Sequence, residues 1–263
     1  PCTPLVVALT EKIIRGEDEK VHHNELQYIT EISLKSPATM IPQAKNELRR
    51  MANMAQENLD HAIHGFLNQS DEFVDKVYHR EEDINNVSHA ITDYLVKSNQ
   101  LSLPLADQKI LGSMFYVVND IERIGDHAEN FADYTKTEIK HNTGLTGDAK
   151  EEINKMYTAV SKLLKLSLEC FMEQDGVNKP EDKLAEIAIL EASIDKMERR
   201  YQKHHIKRLA KGECEPRAGL LFSDMLSELE RIADHSVNIA YSMSDEDEDE
   251  MLAAENEALA TKN

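Results

Sequence analysis

The sequence predicts an all-α fold: a tandem pair of antiparallel three-helix bundles made of six long helices. Three observations carry this prediction. The 263 residues include only 9 Gly and 7 Pro, no Trp and 5% aromatics, a composition poor in turn formers and suited to long helices. Apolar residues recur at three- and four-residue steps through six stretches, and strand-like alternation is missing. The phrase "DIERIGDHAEN" at 120–130 returns as "ELERIADHSVN" at 228–238, an offset of 108 residues, which marks an internal duplication.

Residues 1–33 read as an opening linker, a short apolar start followed by the charged "RGEDEKVHHNE". Regular periodicity begins after "SPATMIP", with Leu48, Met51, Ala55, Leu59, Ala62 and Phe66 on one helix face. Val77, Ile84, Val87, Ile91 and Leu95 mark a second helix. A third opens near Pro104, a residue tolerated in a first turn, and runs through Ile110, Met114, Val117, Ile121, Ile124, Ala128 and Phe131. "KHNTGLTGD" at 140–148 breaks the pattern with two Gly. The scheme then restarts with Ile153, Met156, Val160, Leu164, Leu168 and Phe171. Leu184, Ile187, Ile194 and Tyr201 follow Pro180 on the fifth helix, and Met225, Leu229, Ile232 and Ile239 follow "KGECEP" on the sixth. The repeats accordingly span 34–140 and 141–243. "AKNELRRM" at 44–51 matches "AKEEINKM" at 149–156, and Ile84 aligns with Ile194. The segment 244–263 carries six consecutive acids, Asp245 to Glu250, and reads as a solvated, disordered tail.

A net charge of −19 argues against a nucleic-acid partner, because phosphate neutralisation needs Lys and Arg. Three distant cysteines give neither a disulfide framework nor a thiolate metal site, and fit a reducing cytosol. No stretch approaches the roughly 20 apolar residues needed to span a bilayer. A chain beginning with Pro reads as an excerpt of something longer.

The doubled phrase concentrates the chemistry. Glu122, Asp126 and Asn130 stand four apart on one helix face, as do Glu230, Asp234 and Asn238. Asp120 with Arg123, and Glu228 with Arg231, are the better-placed local pairs, which leaves the central acids in need of another cation. Glu81 and Glu191 fall on apolar faces, where a carboxylate is expensive unless paired or coordinated. Asn85 and Asp195 follow them by four residues. Two uses suit these acids: inter-helix salt bridges, or coordination of a hard cation such as Fe³⁺, Mn²⁺, Mg²⁺ or Ca²⁺ by oxygen donors. Recurrence of the pattern favours metal, although duplication copies structural residues too. His127 and His235 read as surface or outer-shell groups rather than ligands. The basic cluster from Arg199 to Lys211 reads as a solvated helix end or as a patch for an acidic partner or membrane headgroups. A carboxylate-bridged metal hydrolase is the enzymatic alternative, for which an open coordination position would be required.

The phrases "DIERIGDHAENFA" and "ELERIADHSVNIA", each on the third helix of a repeat, resemble the PhoU family over roughly residues 35–243. "ISLKSPATMIPQAKNELRRM" further resembles the stretch opening the cytosolic PhoU-like domain of bacterial sodium/phosphate cotransporters. The resemblance implies a non-enzymatic regulatory domain of phosphate transport, at the inner face of the plasma membrane. Its partner would be a transporter membrane domain in the same polypeptide or another phosphate-uptake protein, with room for a homodimer. A free-standing adaptor that restrains an ABC phosphate importer and its sensor kinase is the alternative. The implied cofactor is a metal, iron foremost, with manganese, zinc, magnesium or calcium as alternatives. The implied ligands are Glu81, Glu122, Asp126, Glu191, Asp195, Glu230 and Asp234. Asn85 stands where the family carries Asp, which makes the first site the weaker one.

Overall fold

The structure, a computed structural model, describes residues 26–30, 37–141, 144–174 and 180–243. The predicted tail and all of the linker except 26–30 lie outside these residues. Six helices follow in order: α1 Pro37–Leu67, α2 Val74–Asn99, α3 Leu105–His141, α4 Gly147–Glu173, α5 Glu181–Ala210 and α6 Pro216–Tyr241. Among the described residues there are no strands, as the sequence predicts.

Helix α1 starts a turn and a half before the predicted onset, and Pro42 lies inside it. A proline within the first two turns forfeits only a hydrogen bond near the helix end. The flanking Met40 and Ala44 are fully buried, so packing holds the early turns in helical form. Helix α4 is capped by Thr146, whose hydroxyl accepts from the Ala149 N–H at 3.3 Å. Helix α5 ends through Gly212 at φ +69°, with the Glu213 N–H bonded back to the Arg208 carbonyl at 2.9 Å. This backbone conformation suits glycine.

Helices α1, α2 and α3 pack on one another, as do α4, α5 and α6. The bundles meet where α3 packs on α6 and α1 on α4. Each predicted apolar stripe faces a core shared by both bundles, with Leu168 and Leu184 half-buried at its edge. Hydrogen bonds tie the α1–α4 side. Lys45 of α1 donates to the Phe171, Met172 and Gln174 carbonyls at the end of α4, and Lys150 donates to the Leu67 carbonyl at 3.0 Å. These contacts satisfy carbonyls that a helix end leaves without intrahelical partners. Residues 26–30 join the first bundle, because the buried Glu47 carboxylate accepts the Gln27 and Tyr28 N–H groups at 2.9 and 2.8 Å.

Candidate functional site

The apolar stripe of α3 buries Ile121 and Ile124 against the first bundle's core, which leaves Glu122 and Asp126 at the edge of the stripe, beside α2. From α2, Glu81 enters between Val77 and Ile84 and is 9% exposed. The helices approach closely here: a Cβ on Gly125 would lie 3.3 Å from Ile84 Cγ2. Burial raises the Glu81 pKa, and the charges of Glu129, Asp126 and Glu122 raise it further, against a lowering hydrogen bond from Asn85. The Asn85 Oδ1 is buried without a hydrogen-bond partner among the described residues. Four carboxylates and one unsatisfied amide oxygen therefore share the α2–α3 face.

The second bundle repeats this arrangement with more charge. Burial raises the Glu191 pKa, as do the charges of Asp195 and Asp234, while Arg199 lowers it. Asp234 is raised by burial and by Asp195. Glu230 is pushed up to about 7 by burial together with Asp234, Glu198 and Asp195. Glu191, Glu230 and Asp234 thus feel the neighbouring carboxylates as negative charge that is not fully neutralised. All seven predicted residues gather in two clusters, Glu81, Glu122 and Asp126 in one and Glu191, Asp195, Glu230 and Asp234 in the other.

Sequence reasoning missed two members, Glu129 and Glu198. Both were recoverable, since Asp126 to Glu129 and Asp195 to Glu198 are i,i+3 steps on one face. Asp126 and Asp195 are not bare. Arg123 pairs with Asp126 at 3.5 Å rather than with Asp120, and Arg199 pairs with Asp195 at 3.4 Å. Among the described residues no three Asp, Glu, His or Cys side chains are assembled into a ready-made metal site. The donor set nonetheless fits a hard cation in type and charge, being all oxygen and mutually repulsive.

The leading acids of the two phrases have a different task. Glu228 receives His127 Nδ1 from the other bundle, with Asn130 Nδ2 at 3.1 Å and the Tyr134 hydroxyl at 3.4 Å. In the reciprocal contact, Asp120 takes His235 Nδ1 at 2.9 Å and Asn238 Nδ2 at 3.4 Å. The two imidazoles lie side by side, 5.6 Å between centroids. Burial opposes the charge on Glu228, yet hydrogen bonds from His127 and Asn130 hold its pKa below the ordinary value. His127 is therefore a buried seam residue, not a surface group. Asn130 and Asn238 turn towards the seam, and Arg231 reaches Glu228 only at 4.0 Å. The signal was present in the sequence: in both copies the histidine follows the leading acid by seven residues, two helical turns on the same face.

Among the described residues no helix is long and apolar enough to cross a membrane. The PhoU domain profile matches this chain twice, over residues 48–135 and 153–243. A phosphate-specific transport system accessory protein PhoU homolog of Clostridium acetobutylicum is 22% identical over 75% of this chain and 87% of its own length. The corresponding protein of Synechocystis is 25% identical over 78% of this chain and 88% of its own length. Among solved structures, PhoU from Pseudomonas aeruginosa superposes with a TM-score of 0.68 at 21% identity, covering 77% of this chain and 94% of that one. The phosphate transport system regulatory protein PhoU from Streptococcus pneumoniae gives 0.69 at 20% identity, covering 79% and 95%. With both bundles matched by the domain and the fold shared, this chain belongs to the PhoU family.

Proposed function

We propose that this chain is a non-catalytic regulator of phosphate uptake, acting by protein contact at the inner face of the membrane, with cations on its two acidic faces setting its conformation. The doubled domain match over both bundles carries the regulatory role. Relatives named as accessory proteins of phosphate-specific transport systems favour a separate transport complex as partner. They give no support to a transporter membrane domain in the same polypeptide. Reading the coding sequence upstream of Pro1 decides between the two, since spans of about 20 apolar residues there would restore the fused arrangement.

The regulatory role is tested in a bacterium whose own PhoU protein is deleted and whose phosphate-starvation reporter is constitutively on. Expression of this chain should silence the reporter in high phosphate. A folded, abundant protein that leaves it on overturns the role. Metal-loaded protein should show no phosphatase turnover above a Glu230→Ala control, and metal-dependent turnover would revive the hydrolase alternative.

What supports cation binding is the crowding of carboxylates that raise one another's pKa values in both bundles. Glu191, Asp195, Glu230 and Asp234 would hold the ion of the second bundle, and Glu81, Glu122 and Asp126 that of the first. The ion would supply positive charge, and the chain's own groups do the rest by bringing acids of two helices to one face. Elemental analysis should find iron, manganese or a similar ion, absent from an Asp126→Ala/Asp234→Ala protein. Folded wild type that takes up none of the added ions returns these acids to salt bridging.

A further inference from the structure

We propose that the exposed face of the C-terminal half of α5, with the adjoining start of α6, docks the protein on an anionic lipid bilayer. Lys196, Arg200, Lys203 and Lys207 follow one another at four-, three- and four-residue steps, with Arg199 beside Arg200, so they form a stripe on one helix face. The opposite face is the buried one, with Ile194, Tyr201, His205 and Arg208. With His204, the stripe lines a shallow surface depression of about 360 Å³. Lys196, Arg200, Lys203 and Lys207 form no ion pair among the described residues, whereas Arg199 is shared with Asp195. In a chain of net charge −19 this is a concentrated positive surface. An anionic membrane repels the rest of the molecule and attracts this face, which fixes the orientation of approach.

The neighbouring side chains select lipid over a soluble polyanion. Ile206 is 62% exposed on the flank of the stripe, and Leu220, in the first turns of α6, is 69% exposed. Leu209 joins them: a Cβ on Gly219 would lie 3.4 Å from Leu209 Cδ2, so the three apolar groups sit at one end of the hairpin. Large apolar side chains beside Lys and Arg suit the headgroup–acyl boundary, where both are satisfied. A purely polar ligand would gain nothing from them.

The stripe is not a by-product of duplication. In the alignment of Ile84 with Ile194, the positions of Lys196, Arg199, Arg200, Lys203 and Lys207 hold Asn86, His89, Ala90, Asp93 and Lys97 in the first bundle. One cation of the five has a counterpart, so the basic face belongs to the second bundle.

Co-sedimentation of the full chain with vesicles tests the proposal. Wild type should bind vesicles of phosphatidylglycerol mixed with phosphatidylcholine, bind pure phosphatidylcholine poorly, and be released by salt. Arg200→Glu/Lys203→Glu/Lys207→Glu should weaken binding by at least about tenfold. Ile206→Ser/Leu220→Ser should weaken it about threefold and leave the salt dependence in place. All the altered side chains are exposed, and unchanged thermal melts confirm folding. Absence of binding to the anionic vesicles, or charge reversal without effect, overturns the proposal. Equal binding by the Ile206→Ser/Leu220→Ser protein also overturns it, and makes the stripe a site for a soluble polyanion.

Discussion

The two acidic faces descend from one sequence and differ in how much repulsion they store. In the first bundle Asn85 places an amide where the second has the carboxylate of Asp195, and Glu81 bears the crowding. In the second, Glu191, Glu198, Glu230 and Asp234 are all shifted upward by burial and by neighbouring carboxylates, Asp195 among them in every case. The faces differ at three positions, Asn85 for Asp195, Ser88 for Glu198 and, in the opposite sense, Glu129 for Val237, and the net extra acid leaves the second face under the stronger electrostatic strain. The seam between the bundles is unequal in the same direction. Glu228, the second phrase's leading acid, is buried with three donors, whereas Asp120 has two donors, one of them the exposed Asn238.

The largest expected effect breaks the seam. Removing Glu228 leaves His127, Asn130 and Tyr134 without their shared acceptor, and losing one partner of a buried pair typically costs about 3 kcal/mol. Glu228→Ala should lower unfolding stability by that amount in urea titrations. Asp120→Ala, in the more open half, should cost about 1 kcal/mol. Equal losses would dissolve the asymmetry. The carboxylate of Glu228 is held below its ordinary pKa, so its stabilisation is present above the usual carboxylate range and is lost as pH falls through the folded value.

Metal affinity sharpens the comparison of the faces themselves. Calorimetric titration with Mn²⁺ should resolve a tighter class of site in the second bundle. Glu230→Ala/Asp234→Ala should weaken that class at least tenfold, about 1.4 kcal/mol. Glu122→Ala/Asp126→Ala should affect only the weaker class. If the second pair removes the tighter class, the assignment of the stronger site is reversed.

How much of this was written in the sequence depends on how local the cause is. The six helices and their stripes were legible because three- and four-residue spacing alone decides which side chains can share a core, as with Leu48 to Phe66 or Met225 to Ile239. The early start of α1 was not, because the rule that proline breaks a helix yields to the burial of Met40 and Ala44. The acids were placed correctly on faces by spacing, yet their neighbours depend on which helices pack together. Arg123 turning to Asp126 instead of Asp120 follows from Asp120 being taken by His235 across the seam. That partner is on another bundle, and no rule internal to one helix reports it.

A smaller effect reads the strain through pH. Glu230 is about 7 in the fold against an ordinary 4.5, so the folded state holds its proton more tightly than the unfolded chain. Its contribution is fully present below about pH 4.5 and is lost as pH rises towards about 7. After discounting for the solvent that screens a half-exposed side chain, the change is about 1 kcal/mol. Metal-free Glu230→Gln should therefore be about 1 kcal/mol more stable than wild type in mildly alkaline buffer, with a flatter stability profile above pH 5. Adding Mn²⁺ should invert the order, since the ion favours the carboxylate that the variant lacks. A variant no more stable than wild type without metal would mean that another cation already neutralises Glu230.

The smallest effect converts one face towards the other. Asn85→Asp gives the first bundle the acid that Asp195 supplies in the second, placed beside Glu81, which would lose the hydrogen bond now lowering its pKa. Without metal the new charge should destabilise the protein by about 0.5 kcal/mol, the scale of a like-charge pair four residues apart on one helix face. With Mn²⁺ the weaker class of site should tighten by about fivefold, roughly 1 kcal/mol. Asp195→Asn should move the second bundle in the opposite sense on both counts. The two signs must travel together, because the repulsion that destabilises the empty face is the same term that a cation removes. Destabilisation without a gain in affinity would show that the introduced carboxylate directs its charge at Glu81 alone, and that the first face is a structural copy without a cation site.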